Sequence, residues 1–530
     1  MKLTFGHSQQ MTNQLVLRAS HMTIGDSLRN NANTMPHNIA IEHRTGKQTF
    51  LQLNKRVNRL ANSLLKMGLA KGDRVAVLSE NRLEYCELVY AAAKVGTIVP
   101  CLNWRLSSQE LVYCMHLTTP ETILVSSHYR EVFEEIKNDL PFLKRVVLLD
   151  DFPESEDEFS YASLIENGVD SEPLVEVTPE DALVIIYTSG TTGYPKGAIV
   201  SHRAFFGRAW IWVLDLKLSA EDTYIGWSPM FHMAAMDPML ISGIIGAKYV
   251  VIPGFDPDKL ANYLWGERLG WLLLMPGTFE PMVERLLSSN QRPVGVAMVG
   301  SMADLVPPEM IANITRLTRS PFLNTFGSTE TGLAPATNSL FPVGEAPSDF
   351  AKKPNKMCSI RLVDKEDIDV KIGEPGELII RGPSLCSGYW KDEEANRQAF
   401  KQGWYHMGDI FTQNADGTLT FVDRKKYLIK SGGENIYPAE IERVLKSHPG
   451  VEEAIVVRAH DSRWGEVPKA YISRRNLLVD QDELSELCIK KLAAYKKPRL
   501  FAFVDSEDFP RSTTGKILRH EVEKWNKIGN

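Results

Sequence analysis

Between Phe50 and Gly68 apolar positions recur every three or four residues. Leu53, Val57, Leu60 and Leu64 share one face, so the stretch reads as an amphipathic helix. Beyond it the pattern shortens into apolar runs that read as strands: "DRVAVLS" (73–79), "TIVPCLN" (97–103) and "TILVSS" (122–127). Between the first two, "RLEYCELVYAAAKVG" (82–96) reads as a helix. The same alternation returns through "DALVIIY" (181–187), "AKYVVIPG" (247–254), "GWLLLMPG" (270–277) and "VGVAMVGS" (294–301). Strands alternating with helices predict parallel α/β layers, with loops at the strand C-termini open to ligands. From about Asp423 the texture changes. "YPAEIERVLKSHP" (437–449), "VEEAIVVRAH" (451–460), "PKAYISRR" (468–475) and "DELSELCIKKLAAYKKP" (482–498) predict a compact α+β unit of about a hundred residues. The first 20 or so residues read as a loose leader, and neither internal repeat nor low-complexity tract is evident.

The chemistry concentrates in loops between these elements. After the 181–187 run come six hydroxyl or glycine residues in a row (Thr188, Ser189, Gly190, Thr191, Thr192 and Gly193), and then Lys196. Small residues expose backbone N–H groups and glycines allow left-handed turns, which suits a polyphosphate with Lys196 as a point charge at its end. The following "SHRAFFGRAWIWVLDL" opens on Ser201, a good N-cap, so the local prediction is strand–loop–helix. The loop is not a Walker A motif, because Pro195 and Gly197 flank its lysine. A second pair, Gly515-Lys516, fails the same test: Pro510 stands where the first glycine belongs and Ile517 where the hydroxyl belongs. In "NTFGSTETG" (324–332) the Glu330 carboxylate lies between two threonines and suits a hard cation on a polyphosphate, although alone it would read as an acidic turn. "WYHMGD" (404–409) ends in Asp409, placed to accept from paired hydroxyls such as those of a ribose; alone, it would be a cap or turn residue. "PRSTTGKILR" (510–519) puts Lys516 in a second Gly/Ser/Thr loop.

Composition narrows the class. With 530 residues, 43% of them hydrophobic and 24% charged, the chain can fold into two or more domains with sizeable cores. A net charge of −6 leaves no nucleic-acid footprint, and the basic runs at 424–430 and 490–499 read as solvated faces. Six cysteines without a CxxC pair fit a reducing cytosol. No apolar run approaches the ~18 residues of a membrane span, and the N-terminus lacks the signature of a secretory signal, so a cytoplasmic location is expected.

Taken in order, these motifs resemble the adenylate-forming superfamily of acyl-CoA synthetases, firefly-type luciferases and nonribosomal-peptide adenylation domains. The resemblance runs from about residue 22 to residue 527, and the "SGTTGxPKG" core is its most specific part. It implies an α/β fold: a large N-terminal domain of α/β layers with a small β-barrel-like part (residues 1–423), and a small mobile α+β C-terminal domain (residues 424–530) hinged near Lys426. It also implies two half-reactions. A carboxylate attacks the α-phosphate of ATP to give an acyl adenylate and pyrophosphate; a thiol then takes the acyl group and releases AMP. By the resemblance, Thr188 to Thr192, Gly193 and Lys196 would hold the β- and γ-phosphates, Glu330 with Thr188 the magnesium ion, and Lys516 would bridge carboxylate and α-phosphate. Asp409 and Arg424 would bind the ribose. Phe326 would stack on adenine, with Asn324, Gly300, Ser301 and Met302 at its edges and Gly327, Ser328 and Thr329 continuing the motif. Phe231, Met233, Met302, Gly327 and Leu333 would line the acyl pocket, where no lysine or arginine is evident to meet a second charge. His232, on its own a core histidine, would gate the way from the carboxylate site to the thiol tunnel. Lys430 and the turn Gly432-Gly433-Glu434 would reach the thiol side after rotation about Lys426.

Departures from the family pattern are "FGSTE" where a tyrosine is usual, the pair Asp423-Arg424, a lysine hinge, and "VGSMADL" near the acyl pocket. None removes a catalytic group. The implied function is an ATP-dependent carboxylate–CoA ligase for an apolar acid, medium-chain, alicyclic or aryl, using ATP, Mg2+ and coenzyme A as co-substrate. Three alternatives are weighed beside it: loading of a carrier-protein phosphopantetheine, oxidation of the adenylate as in luciferases, and a non-catalytic nucleotide-binding scaffold. Joint retention of Lys196, Glu330, Asp409, Arg424 and Lys516 speaks against the scaffold. No nucleic-acid partner is expected. A homodimer stays open, because an interface stripe looks the same as a core face.

Overall fold

The computed structural model describes residues 15–188, 195–431, 434–461, 463–475, 479–511 and 515–527. Two large sheets dominate the N-terminal domain. The seven-stranded sheet runs Glu158–Ser160, Arg145–Leu148, Thr122–Val125, Val75–Leu78, Val99–Cys101, Ala182–Thr188, Lys196–Ser201 in spatial order, and all its pairs but the last are parallel. The eight-stranded sheet runs Ser339–Phe341, Phe322–Asn324, Gly295–Ser301, Arg268–Leu273, Thr223–Gly226, Lys248–Val251, Ile39–His43, Gly46–Thr49, with antiparallel pairs only at its two edges.

Pleating explains the layering. Val75 and Val77 enter a core shared with both sheets and with the helices Leu83–Val95 and Met233–Ile245, whereas Ala76 and Leu78 face a separate core on the other side. The helix Leu83–Val95 is therefore enclosed almost all round, and every residue but Glu84 is buried. The amphipathic stripe expected early in the chain is the helix Phe50–Lys66. Thr49 caps it by accepting from the Gln52 N–H, and Leu53, Val57, Leu60 and Leu64 are buried. Truncating one of these leucines to alanine would cost about 2–5 kcal/mol.

A third, curled antiparallel sheet joins Ser359–Val363, Pro375–Arg381, Trp404–Gln413, Phe400–Lys401 and Leu419–Arg424. The smaller C-terminal domain has its own five-stranded sheet (Glu434–Ile436, Ile429–Ser431, Gly465–Arg474, Val451–Asp461 and Leu500–Phe503) and its own core around Ile441, Leu445, Val456 and Ile472. Among the described residues no helix is long and apolar enough to cross a membrane.

Candidate active site

The strands Ala182–Thr188 and Lys196–Ser201 pair antiparallel, with Thr188 opposite Lys196. The expected strand–loop–helix is corrected: the chain first returns as a strand, because Gly197–Val200 is an apolar, β-prone run lying beside a ready partner. Only then does the helix His202–Leu214 begin, with Ser201 accepting from the Ala204 N–H as foreseen. Ser189, Gly190, Thr191, Thr192 and Gly193 lie outside the described residues.

Tyr389 joins the lysine of this strand pair to the acidic motif. Lys196 Nζ stands 5.4 Å from the Tyr389 ring centroid and 3.8 Å from Asp392 Oδ2. The Tyr389 hydroxyl donates to Glu330 Oε1 at 2.8 Å and lies 3.3 Å from the Tyr405 hydroxyl. It holds one oxygen of a buried carboxylate and so fixes where the other points. The loop carrying Glu330 is tight: Ser328 pairs with Gly332, and a Cβ on Gly327 would sit 1.8 Å from the Gly332 carbonyl oxygen. The Ser328 N–H donates to Thr331 Oγ1 (3.0 Å), and the Glu330 carbonyl accepts from the Cys386 N–H (2.7 Å).

On the curled sheet Asp409 lies in register with Arg424. Arg424 Nε is 2.8 Å from Asp409 Oδ1, near enough for an ion pair, yet its N–H is not aimed at that oxygen. Among the described residues Asp409 Oδ1 is thus a buried acceptor without a hydrogen bond, an expensive arrangement unless a ligand hydroxyl fills it. Burial pushes this carboxyl above its ordinary value, with Arg424 and Lys516 opposing. Lys516 reaches the same region from the C-terminal domain. Its side chain opens to solvent in the cleft, but surrounding protein lowers its pKa first, Arg424 and Arg519 lower it further, and Asp409 opposes.

The structure shows the protein partners of two residues expected around the adenine. The Asn324 side chain does not present a free edge: Oδ1 accepts from Lys352 Nζ (2.6 Å) and the Ala303 N–H (3.3 Å), and Nδ2 donates to the Phe350 carbonyl (3.0 Å). The reason is Lys352, a wholly buried ammonium that must be paired and that also binds Asp304 at 2.6 Å. Phe326 packs edge-on to Phe411 at 4.8 Å and is 2% exposed. Gly300 and Ser301 end the strand Gly295–Ser301, and the buried Ser301 hydroxyl has no partner among the described residues.

On the acyl side His232 caps the helix Met233–Ile245. Its Nδ1 accepts from the Ala234 N–H at 3.2 Å, which puts the proton of a neutral ring on Nε2, and burial lowers its pKa. Phe231 is buried edge-on to Trp104, 5.7 Å between ring centres. Met302 and Leu333 pack against the core around Phe326. Arg208, 25 residues before Met233 in sequence, lies 3.5 Å from Met233 Sδ and against Gly332. It arrives there because Gly207 lets its helix rest on the Pro383–Ser384 backbone, where a Cβ would clash at 2.5 Å. A cavity of about 330 Å3 nearby is lined by Trp104, Arg105, Trp227, Pro229, Pro276 and Gly515, so both domains contribute to it.

Of the residues expected at the hinge and thiol side, Lys426 lies in the 3-10 turn Lys425–Tyr427 and its carbonyl accepts from Arg458. Lys430 and Glu434 are exposed on the paired strands Ile429–Ser431 and Glu434–Ile436. Gly432 and Gly433 lie outside the described residues. Tyr389, Arg208 and Lys352 carried no signal in the sequence, since each acts through a partner distant in the chain: Glu330 is 59 positions from Tyr389, Ser384 is 176 from Arg208, and Asn324 is 28 from Lys352.

The family model described as "AMP-binding enzyme" matches residues 28–390, and that for the "AMP-binding enzyme C-terminal domain" matches residues 440–516. The chain is 31% identical over 508 residues to a 2-succinylbenzoate–CoA ligase of Bacillus cereus, covering 95% of this chain and 98% of that one. It is 32% identical over 510 residues to an indoleacetate–CoA ligase of Aromatoleum aromaticum, with the same coverage. Among solved structures it resembles the o-succinylbenzoate CoA synthetase of Bacillus subtilis in complex with its acyl-adenylate intermediate, with TM-score 0.78, 26% identity, and 95% and 98% of the two chains covered. The chain belongs to the AMP-binding, adenylate-forming enzymes and is an acid–thiol ligase of the acyl-CoA synthetase kind.

Proposed function

We propose that this ligase activates an apolar carboxylic acid, medium-chain, alicyclic or aryl, as its adenylate and transfers the acyl group to coenzyme A. The observation that carries this reading is the convergence of Lys516 on Asp409 and Arg424 across the domain boundary. An unsatisfied buried carboxylate oxygen suits a ribose hydroxyl, and an ammonium beside it suits the neighbouring α-phosphate.

In the first half-reaction the acid's carboxylate attacks the α-phosphorus, and pyrophosphate leaves. Lys516 would neutralise the charge gathering on the non-bridging oxygens, and Lys196 that on the leaving group. Glu330, with Thr188 at the end of its strand, would hold a magnesium ion whose charge screens the phosphates. One carboxylate oriented by Tyr389 fits such an ion, which would be bound chiefly through substrate phosphates. In the second half-reaction the thiol would enter through the cavity beside Trp104 and Gly515, past His232. The C-terminal domain would turn about Lys426, withdrawing Lys516 and bringing Lys430 and Glu434 to the thiol side. The described cysteines are all free thiols, which suits a reducing cytosol.

The test is acid-dependent ATP–pyrophosphate exchange over short, medium, long, alicyclic and aryl acids, followed by AMP release with and without coenzyme A. A thioester from an apolar acid is the expected product. Exchange without transfer to coenzyme A would give the acyl group to a carrier protein instead, and absence of exchange with every acid would overturn the reading.

A further inference from the structure

Behind Met233 lies a buried cation that is already paired. Arg208 is 1% exposed, and all three of its nitrogens are engaged. Nη1 lies 2.9 Å from Asp237 Oδ1, Nη2 donates to the Thr329 carbonyl at 2.9 Å, and Nε donates to the Ser384 carbonyl at 3.2 Å. Asp237 is buried too, one turn beyond Met233 on the same helix, so Met233 and Asp237 share the face that meets the guanidinium. The Met233 thioether covers the same nitrogen at 3.5 Å. The pair thus sits directly behind a residue expected in the acyl pocket and under the loop that carries Glu330. His232, next to Met233 in the chain, is driven towards its neutral form by burial.

We infer that Asp237 sets the substrate class of this pocket: by neutralising Arg208 from within, it makes the enzyme select acids whose only charge is the reacting carboxylate and turn away those with a second carboxylate at the far end. The inference rests on the acyl-CoA ligase reading and deepens it. An arginine in a pocket wall is the ordinary means of binding a second carboxylate, through paired N–H donors. Here those donors are spent: burial raises the Asp237 carboxyl above its ordinary value, the Arg208 guanidinium opposes, and a carboxylate approaching Arg208 would meet a cation whose charge this pairing already answers. Like charges brought together in a desolvated site weaken binding strongly. Asp237 touches no reacting atom; it is a positioning and specificity residue. Arg208 itself is unsuited to replacement, since it also holds the Thr329 carbonyl beside Glu330.

The test compares acids in pairs that differ only by a terminal carboxylate: hexanoate with adipate, phenylacetate with its para-carboxy derivative, and cyclohexanecarboxylate with its para-carboxy derivative. Pyrophosphate exchange by the wild-type enzyme should favour the monocarboxylate of an active pair by about a hundredfold or more in kcat/KM. Asp237→Asn keeps an acceptor for Arg208 but removes the opposing charge. It should shift the ratio at least about tenfold towards the dicarboxylate, chiefly through the KM for the acid. A purely structural role would lower both acids' rates together and leave the ratio unmoved. Wild-type preference for a dicarboxylate overturns the inference while leaving the ligase reading intact. So does an unchanged ratio in folded Asp237→Asn. Should that variant fail to fold, the wild-type pairs decide alone. Absence of exchange with all six acids and with the broader panel overturns the ligase reading, and this inference with it.

Discussion

Replacing Tyr389 by phenylalanine isolates one hydrogen bond of the candidate site. The ring stays, and with it the surface beneath Lys196 at 5.4 Å; the bond to Glu330 Oε1 at 2.8 Å and the contact to the Tyr405 hydroxyl at 3.3 Å go. A hydrogen bond to an ionised carboxylate contributes about 1.5–3 kcal/mol. If Glu330 needs that bond to stay aimed at the metal and phosphates, kcat for pyrophosphate exchange should fall between about tenfold and about a hundredfold. The loss should be partly recovered at high magnesium, because a carboxylate free to rotate binds the ion more weakly but still binds it. KM for the acid should hardly move, since Tyr389 is not among the residues expected at the acyl wall. The assay is exchange at saturating acid while magnesium is titrated, with thermal unfolding recorded to show that the variant is folded. Unchanged exchange and unchanged magnesium dependence would refute the coupling of Tyr389 to Glu330. So would a fall in exchange that magnesium leaves untouched while the KM for the acid rises.

Lys516→Ala should lower exchange by about 10²–10³ yet leave thioester formation from supplied acyl adenylate largely intact; equal loss of both half-reactions would show that its role is misplaced. The pH profile offers an independent check. Because its ammonium is destabilised by surrounding protein and by two arginines, exchange should fall as pH rises through a pKa below that of an ordinary lysine, and Lys516→Arg should keep partial exchange and remove that alkaline limb. Unfolding does not explain such a limb. A lysine whose folded pKa is lowered makes the unfolded chain bind more protons in that window, so its contribution to stability rises with pH as activity falls.

The layers and motifs were legible because they are local. Period-three-to-four apolar spacing around Leu60 and short apolar runs such as Val75–Leu78 meet their partners through backbone geometry that every helix and sheet shares. Ser201 could be read as a cap because capping is settled within three residues. The returning strand was missed because Gly197–Val200 is only four residues long, and its strand character depends on the neighbouring strand rather than on its own length. Arg208 was missed for a different reason. From "FFGRAW" alone it would be a charge on a mostly apolar helix, and its burial becomes tolerable only once Asp237, Thr329 and Ser384 are brought round it. Asn324 shows the converse. Its motif position suggests adenine, and no local rule announces that its side chain will also pair a lysine buried 28 residues later.

One residue beside the ribose site bears on how the two half-reactions are balanced. Asp423 adjoins Arg424 at the end of the curled sheet, but its carboxylate faces the C-terminal domain. Oδ2 accepts from the Ala439 N–H at 2.6 Å and Oδ1 from Arg519 Nη1 at 3.2 Å. Arg519 is shared with Glu442 at 2.7 Å, within its own domain. The rotation proposed about Lys426 would leave Asp423 on one side and Ala439 and Arg519 on the other, so these bonds belong to the pose in which Lys516 faces Asp409. Arg519 would keep Glu442 in either pose, which makes the Asp423 contact breakable without stranding a charge. Asp423→Asn should weaken this pose selectively, by the equivalent of about one charged hydrogen bond, or about tenfold or more in the balance between poses. Pyrophosphate exchange should fall by that factor, while thioester formation from supplied acyl adenylate should hold or rise. Measured side by side, an equal fall in both would mean that Asp423 serves the stability of the joint and has no part in choosing between the poses.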